Sequence, residues 1–435
     1  MSWYAALPAA VMVMIGIFLV GLLLARLKIL DALRSAIYVA AAIVGMNAMV
    51  GMFAGAATPV LQLVVESTGL KLDIIDLGVG SSYASVLFPL SFYSILLVVG
   101  LLVNVAMILL KFTDTFDVDV FNYSVWALAA SYVWVITGSI PLAILAYAIN
   151  EVIVLKFADL TAPAIEKAYG LDGVSIPHGN AVIFAPVGMF VNWVIEKIPA
   201  LAKIDWSPEK IEERFGGMVS PSTIGFVMGI VLGAAGGKDF GQTLLLGITI
   251  AAFMIVFPRV ENILVEGITP VADGMREICT KKFNRDRHIG LDAAILIGMP
   301  DVMATGILVT PFILLLAFIL PSNRVMPMAD LAIAAPFLIS CCMPYCKKNI
   351  FRGLIAGIIV MIITLYICGA TADWYTTCAA MNGLPFESTS TTLGICSSWV
   401  AWGIARCLRS SYRRDPSHFP IRYRFPTNRQ KEAGK

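Results

Sequence analysis

The chain has 435 residues, of which 59% are hydrophobic and only 14% are charged. Soluble domains usually have about a quarter charged residues, so this composition excludes a soluble globular protein and indicates an integral membrane protein. The net charge of +2 is small, and membrane orientation and a basic tail explain the basic surplus, so no nucleic-acid partner is expected.

The apolar segments predict the topology. Runs such as 8–25, 94–110, 306–320 and 353–370 approach or reach the roughly 20 residues that a helix needs to cross a bilayer. Basic residues follow the first run from Arg26 to Arg34, and a basic tail starts at Arg406, which predicts an outside amino terminus and a cytoplasmic carboxyl terminus. An odd number of crossings is then required. We predict an all-α membrane protein with about ten or eleven transmembrane helices, the last of them near 389–405.

Two halves of the chain repeat the same order of features. In the first half, Thr58-Pro59-Val60 precedes a polar turn, Asp76, the small residues up to Ser82, and an apolar run to Leu110. In the second half, Thr269-Pro270-Val271 precedes a charged turn, Asp292, Gly298-Met299-Pro300, and an apolar run to Leu320. This order predicts an internal, inverted repeat, and paired Gly/Pro-broken segments of this kind mark the binding site of a transporter.

The broken segments predict two re-entrant hairpins, near 76–90 and 291–304. Non-helical backbone is tolerated at membrane depth only where protein or a water-filled cavity supplies hydrogen bonds. Asp76, Asp292 and Asp301 should therefore face that cavity or be paired, because an isolated carboxylate in hydrocarbon costs at least a few kcal/mol. An alternative for Asp76 and Asp292 is that each only caps a helix amino terminus, which contributes about 1 kcal/mol.

A third polar cluster lies at residues 170–188, where Pro177, Gly179 and Pro186 interrupt an apolar segment around His178 and Asn180. A histidine in a broken membrane segment is a candidate substrate contact or proton carrier. A structural histidine bonded to the backbone is the alternative.

Between the halves lies a soluble connector near 199–216, which is either a solvated link or a docking surface for a soluble partner. The segment after it contains Gly225, Gly229, Gly233 and Gly237 at every fourth position. We expect this stripe to permit close helix packing. The stripe is also a candidate sliding face for transport.

No metal or cofactor site is predicted. The eight cysteines form no C-x-x-C pair and accompany no histidines at ligand spacing, so small buried hydrophobes in a reducing or lipid setting are expected. The sequence also lacks a recognisable nucleotide-binding loop.

Several stretches in order along the chain carry a resemblance to a known family. They are VDVFNYSVWA from 118, VSIPHG from 174, PSTIGFVMGIVLGAAGGKD from 221, PRVENILVEGITPVAD from 258, IGLDAAILIGMP from 289 and ILPSNRVMPMADLA from 319. Together they resemble the membrane subunit IIC of the galactitol-type bacterial phosphotransferase system (PTS). The resemblance defines a transport domain over 1–370 and a divergent carboxyl-terminal region over 371–435.

The resemblance implies a multi-pass permease of the bacterial inner membrane. Such a carrier binds a polyol or sugar outside, translocates it, and presents it to a soluble IIB subunit that carries a phosphocysteine charged through IIA. The resemblance also implies a homodimer with a moving core. No phosphorylated or catalytic residue is expected in the carrier itself, because the phosphoryl group arrives on the partner.

The chain departs from the family pattern at three places. Val219-Ser220-Pro221 replaces a Gly-Glu-Pro, Met299 stands where a histidine often follows the glycine, and the segment at Gly78 lacks the usual tryptophan. A polyol site matches each hydroxyl with a donor or acceptor, so these changes affect which polyol fits.

The candidate substrate-binding residues supply carboxylate, amide, imidazole and hydroxyl groups for an uncharged polyol. His178 and Asp292 are the first choices, and the full set is His178, Asp292, Asp76, Asn180, Asp301, Ser81 and Ser82. An ion-coupled secondary transporter, with Asp76 or Asp292 binding H⁺ or Na⁺, is the competing hypothesis. A membrane hydrolase lacks a visible nucleophile beside a base.

Overall fold

The computed structural model describes residues 9–67, 72–78, 90–207, 210, 213, 221–283, 288–327, 330–381 and 388–411. Ser81, Ser82 and most of the predicted first hairpin lie outside the described residues, as does the basic tail after residue 411. Much of the predicted soluble connector lies outside them too.

Helices dominate the first half. Its elements are α1 (Ala9–Leu19, extended by a π-helical turn at Val20–Leu24), α2 (Ile29–Ser67), β1 (Ile74–Asp76), α3 (Leu90–Leu109), β2 (Thr115–Asp117), α4 (Val120–Thr137), α5 (Ile140–Tyr169), β3 (Val174–Ser175), a 3₁₀ turn (Val182–Phe184), α6 (Ala185–Glu196) and α7 (Pro199–Ala202).

The second half repeats this alternation of helices and very short strands. Its elements are α8 (Pro221–Ala235), α9 (Phe240–Phe283), β4 (His288–Gly290), α10 (Ala294–Ile297), α11 (Pro300–Ile319), β5 (Val325–Met326), α12 (Leu331–Ile339), a 3₁₀ turn (Ser340–Cys342), α13 (Ile350–Met381), β6 (Ser390–Thr391), α14 (Leu393–Cys396) and α15 (Trp399–Ser411).

The strands form two three-stranded parallel sheets that exchange strands between the halves. One sheet has the order β5-β1-β6, so the first strand of the first half lies between two strands of the second half. The other sheet has the order β2-β4-β3, so the first strand of the second half lies between two strands of the first half. We call them the β1 sheet and the β4 sheet. The exchange interlocks the two halves.

The helices that follow the strands begin and end with recognisable signals. Asp119 caps α4 by accepting a hydrogen bond from the Phe121 N–H at 2.9 Å. The helix ends at Gly138, whose φ of 66° is left-handed. Glycine adopts this conformation without the steric penalty of a Cβ.

The buried core lies mainly among α4, α5, α6, α11 and α13. Trp126, Tyr132, Tyr147, Phe184 and Tyr375 are among its largest fully buried side chains. Tyr132 packs edge-to-face on Trp374 of α13, with ring centroids 5.5 Å apart.

Helices α1, α2, α8 and α9 pack on one another and contact the core through α2 against α12 and through α8 against α11. We call these four helices the scaffold.

Three described helices are long and apolar enough to cross a membrane, namely α5, α11 and α13. Shorter apolar segments accompany them, including parts of α3, α6, α8, α9 and α12. These findings agree with a predominantly helical membrane protein, as predicted from the composition. The number of crossings stays a prediction.

One predicted segment differs from its expected form, and another contains the interruption that was expected of it. The region expected to hold the last span, 389–405, contains β6, α14 and the first part of α15 instead of one helix. At 291–304 the backbone forms the four-residue helix α10, a break at Gly298 and Met299, and then α11. The reason is the same in both places: a short strand ends in a turn, and a new helix starts after it.

The glycine stripe lies at a close helix contact. A Cβ added at Gly229 would lie 2.5 Å from Gly247 Cα, and one at Gly233 would lie 2.9 Å from Thr243 Cα, both on α9. The predicted close packing is therefore confirmed at these positions. Gly237 is not part of the helix, because α8 ends at Ala235 and Gly237 takes a left-handed φ of 67° after it.

Candidate functional site

One buried carboxylate connects the segments that follow the three strands of the β1 sheet. Asp76, the last residue of β1, is only 1% exposed. Its Oδ1 accepts hydrogen bonds from the N–H groups of Gly78 (3.2 Å) and Leu393 (3.3 Å), and its Oδ2 accepts from the N–H of Asp330 (2.8 Å). Asp330 in turn accepts from the Gly394 N–H at 3.0 Å. Asp76 thus accepts backbone hydrogen bonds from segments after β1, β5 and β6. The predicted hairpin helix that it was expected to cap lies outside the described residues, so both interpretations of Asp76 stay predictions.

The carboxyl end of the β4 sheet holds three more acids. Asp117 Oδ1 accepts from the Asp119 N–H and from the Asn122 amide, both at 3.1 Å. Asp292 is half-buried, and its Oδ1 accepts from the Ala294 N–H at 3.0 Å. Asp119 and Asp292 interact electrostatically across the sheet end. The sequence analysis missed Asp117 and Asp119, although both follow a short polar turn in the stretch TFDVD.

The segments after β3 and β6 connect the two sheet ends. The Asn180 side-chain amide donates to the carbonyl oxygen of Gly394 at 2.7 Å and to that of Ile395. The His178 ring lies edge-on against Phe337 of α12, with ring centroids 4.6 Å apart. The predicted pair His178 and Asn180 thus lies where elements of both halves meet.

His178 and Asn180 each keep one free polar atom within the described part of the chain. His178 is 2% exposed, and its Nδ1 accepts from the Asn180 N–H at 3.3 Å. A neutral imidazole with an accepting Nδ1 carries its proton on Nε2. That Nε2 and Asn180 Oδ1 have no hydrogen-bond partner among the described residues. A buried donor and a buried acceptor are therefore available to a ligand.

Comparisons with known proteins identify the family of the chain. Residues 7–389 match the model of the EIIC-GAT family, described as the PTS system sugar-specific permease component. The chain belongs to this family of PTS permeases. A provisionally named permease IIC component of Escherichia coli strain K12 is 34% identical over 410 residues, which cover 94% of this chain and 93% of that protein.

The galactitol-specific EIIC component of Escherichia coli strain K12 is 32% identical over 359 residues. That match covers 81% of this chain and 78% of the relative. The galactitol-specific EIIC component of Escherichia coli O157:H7 matches to the same extent. The chain is therefore a sugar-specific permease of the inner membrane, a family whose members work with a sugar substrate and a IIB component.

Asp301 of the permease lies in a different setting from the other candidates. It is fully buried in the first turn of α11 and accepts a hydrogen bond from the Tyr169 hydroxyl at 2.8 Å. Lys348 lies over the Tyr169 ring, with its Nζ 5.8 Å from the ring centroid. These contacts place Asp301 near the carboxyl end of α5 and the basic turn before α13. The role of Asp301 in substrate binding stays a prediction.

A charged network lies beside that turn. Glu196 at the end of α6 binds Lys347 at 2.7 Å and also binds Arg352, whose guanidinium contacts Asn192. Hydrogen bonds from Lys347 and Arg352 lower the pKa of Glu196 to about 2. The carboxylate therefore stays ionised, and its ion pairs are lost only as the pH falls through that value.

Proposed function

We propose that the permease transports a sugar alcohol of the galactitol type and presents it to a IIB subunit for phosphorylation. The galactitol-specific relatives support the substrate class. The observation that carries the proposal is that His178 Nε2–H and Asn180 Oδ1, two residues apart in the chain, are both buried without a described hydrogen-bond partner. Hydroxyl groups both accept and donate hydrogen bonds, so hydroxyls of an uncharged polyol can satisfy a free donor and a free acceptor.

The site has the form of a polyol site and not of an anion site. Its visible acids already accept backbone hydrogen bonds, as Asp76 and Asp292 do. His178 is neutral in the arrangement described, because its Nδ1 acts as an acceptor. Binding energy for an uncharged ligand then comes from matching hydroxyls with donors and acceptors.

We further propose that the two halves form an inverted repeat and that each contributes a re-entrant hairpin. The strand exchange between the sheets supports this, because β1 and β4 hold equivalent central positions. Each of these strands directly precedes a predicted hairpin, 76–90 or 291–304. The interruption at Gly298 and Met299 also supports a broken segment in the second half.

We propose a homodimer in which the scaffold stays fixed and the core moves. The close α2–α9 and α8–α9 contacts support a rigid scaffold, because glycines bring these helices together at Gly229 and Gly267. The scaffold contains none of the atoms in the His178 and Asn180 site. A rigid unit next to a site-bearing unit is the architecture expected for alternating access.

We propose that the IIB subunit docks on the face that carries Lys347 and Lys348. We further propose that IIA transfers the phosphoryl group to IIB. Both lysines take left-handed backbone conformations, with φ of 57° and 58°, in the turn before α13. This turn is fixed to the connector, because Ile350 N–H donates to the Trp206 carbonyl at 3.0 Å and Asn349 donates to the Ile204 carbonyl at 2.9 Å. The connector would then be part of the docking face, which is the second of the two interpretations given for it in the sequence analysis.

The experiment is phosphorylation of radiolabelled galactitol by membrane vesicles with phosphoenolpyruvate, the general phosphocarriers, IIA and IIB. His178→Phe keeps a ring of similar size and removes the hydrogen-bond donor. We expect at least a roughly tenfold loss of phosphorylation, because a buried substrate hydroxyl loses its partner. His288→Phe is the matched control, because His288 starts β4 at the far end of the sheet.

Two results would contradict the proposal. Equal phosphorylation by the His178 variant and the wild type removes His178 from the site. Uptake of unmodified galactitol driven by an ion gradient, with no dependence on phosphoenolpyruvate, establishes the ion-coupled alternative instead.

A further inference from the structure

The middle of α5 carries a buried acid whose carboxyl group has no visible partner. Glu151 is 0% exposed, and neither of its carboxyl oxygens has a hydrogen-bond partner of normal geometry among the described residues, although the backbone N–H of Asn104 on α3 lies near the carboxyl group. Buried polar groups are nearly always hydrogen-bonded, and a buried charge without a partner is costly. A glutamate in this position needs either a ligand or a proton, and a protonated carboxyl still needs an acceptor for its O–H.

The neighbours of Glu151 add further acceptors and few donors. Asp117 lies close enough for its charge to act on Glu151, and Asp117 Oδ2 has no described partner. The Asn122 side-chain N–H₂ group donates to Asp117 Oδ1, and the Asn122 Oδ1 atom has no described partner. The group therefore presents acceptor oxygens from three residues on β2, α4 and α5.

The walls around this group are fixed by hydrogen bonds. Asn104 on α3 donates to the Thr115 carbonyl at 2.9 Å and accepts from the Asp117 N–H at 3.0 Å. The Tyr123 hydroxyl donates to the Asp117 carbonyl at 3.0 Å. These bonds hold β2 against α3 and α4, so the free oxygens cannot easily turn toward other donors.

The group lies next to the His178 segment. A Cβ built on Gly290 would lie 2.8 Å from both Asp117 Cα and Pro177 Cγ, so these two residues flank the same glycine. Trp126 donates from its indole N–H to the Pro177 carbonyl at 3.0 Å. Asn150, the residue before Glu151, donates to the Trp126 carbonyl at 3.1 Å. A chain of direct contacts therefore connects Glu151 to the residue before His178.

We propose that Glu151, with Asp117 and Asn122, forms a second polar subsite that binds hydroxyl groups of the transported polyol. This inference rests on the proposed function and extends it, because His178 and Asn180 offer one free donor and one free acceptor while a polyol carries several hydroxyls. A protonated Glu151 supplies one donor and one acceptor, and the remaining oxygens accept hydroxyl protons. Hydroxyl groups supply the missing donors without bringing charge into the interior.

A cation is the competing occupant of these oxygens. Among the described residues, no group of three or more His, Cys, Asp or Glu side chains is arranged to hold a metal ion. The polyol is the occupant that we propose, because it brings hydroxyl donors without charge, and cation binding is an outcome that the test can detect.

The first test measures galactitol, sorbitol and mannitol binding to purified wild type, and then binding of monodeoxy derivatives of the tightest ligand. We expect Glu151→Leu to weaken binding about 10- to 100-fold, because a hydroxyl loses its buried partners. The monodeoxy derivative that lacks the hydroxyl bound by Glu151 should bind the wild type more weakly than the parent hexitol does. Glu151→Leu should then bind this derivative with the same affinity as the wild type. That loss of additivity assigns the missing hydroxyl to Glu151.

The matched control is Glu166→Gln on the same helix. Glu166 accepts from the Gly173 N–H at 2.7 Å, and the amide oxygen of glutamine can keep this bond. Affinity should stay within about twofold of the wild type, because no ligand contact is lost. A Glu151→Leu variant with wild-type polyol affinity, or with a loss of Na⁺ dependence alone, overturns the subsite. A wild type that binds and phosphorylates no hexitol refutes the proposed function instead.

The second test needs no variant and covers the case that Glu151→Leu does not fold. Dicyclohexylcarbodiimide modifies protonated carboxyl groups in apolar surroundings, and mass spectrometry locates the adduct. We expect modification of Glu151 in the wild type, with protection by the bound hexitol. Modification without protection, or no modification in either state, contradicts a neutral carboxyl that contacts the polyol.

Discussion

Asp76→Asn separates a structural role from a binding role at the end of the β1 sheet. Asp76 accepts hydrogen bonds from three backbone N–H groups, those of Gly78, Asp330 and Leu393, at 2.8–3.3 Å. Two of these donors belong to segments after β5 and β6, so the carboxylate connects the three strands of one sheet. Asparagine keeps one acceptor oxygen and turns an amide N–H₂ group toward a backbone N–H.

At least one charge-assisted hydrogen bond is lost in this variant, and one buried N–H loses its acceptor. A hydrogen bond to a charged group contributes about 1.5–3 kcal/mol, so we expect a loss of stability of about 2–4 kcal/mol. Thermal unfolding of the purified permease in detergent, followed by the loss of monodisperse protein, measures this loss. Phosphorylation below the melting temperature should stay within a few-fold of the wild type.

Asp292→Asn is the matched comparison, because Asp292 is half-buried and its hydrogen bonds are local, with the Ala294 N–H donating at 3.0 Å. Asparagine can keep one such bond, so a loss of about 1 kcal/mol is expected and the melting temperature should fall less than that of Asp76→Asn. A strong loss of phosphorylation in the Asp292 variant then indicates substrate contact. If Asp76→Asn melts like the wild type but does not phosphorylate galactitol, Asp76 binds substrate and the structural argument fails.

Further predictions concern packing and the buried end of α11. Gly229→Ala should lower the melting temperature, because the added Cβ would lie 2.5 Å from Gly247 Cα on α9. Gly55→Ala should leave it unchanged, because nothing lies within 4 Å of the added Cβ. Equal melting temperatures of the two variants would contradict the close contact. Tyr169→Phe should cost about 1–2 kcal/mol in thermal unfolding, because it removes the hydroxyl that donates to Asp301. If Asp301→Asn abolishes phosphorylation while Tyr169→Phe stays active, Asp301 contacts the polyol rather than serving only as the acceptor for Tyr169.

The sequence predicted the membrane class and the interruption at Gly298 and Met299, while the first broken segment and the binding role of His178 and Asn180 stay predictions. It did so because composition and interrupted apolar runs are local features that survive without tertiary information. The strands were not predicted. β3 and β6 have two residues each, which is too short for a periodic pattern, and their conformation depends on pairing with strands from the other half of the chain.

The sequence was less informative about which acids belong together. Asp301 follows the Gly-Met-Pro break and was grouped with Asp292, yet its described hydrogen bond is to Tyr169, at the end of another helix. Glu151 was missed because its surroundings, AYAINEVIVLKF, read as an ordinary span. A lone acid in such a span is itself a functional signal, because intramembrane acids face the interior or a cavity.

The strand exchange constrains how the proposed transport can work. The central strand of each sheet comes from the opposite half, and Asn180 bonds the segment after β3 to α14 after β6. The two halves of the core therefore cannot rock against each other without breaking strand pairs and this bond. Among the described residues, the scaffold contacts the core through helix pairs such as α2 with α12 and α8 with α11, and through α9 beside β4. Motion between scaffold and core therefore leaves the strand pairs of the two sheets intact. This difference favours movement of the whole core in the alternating access that we propose.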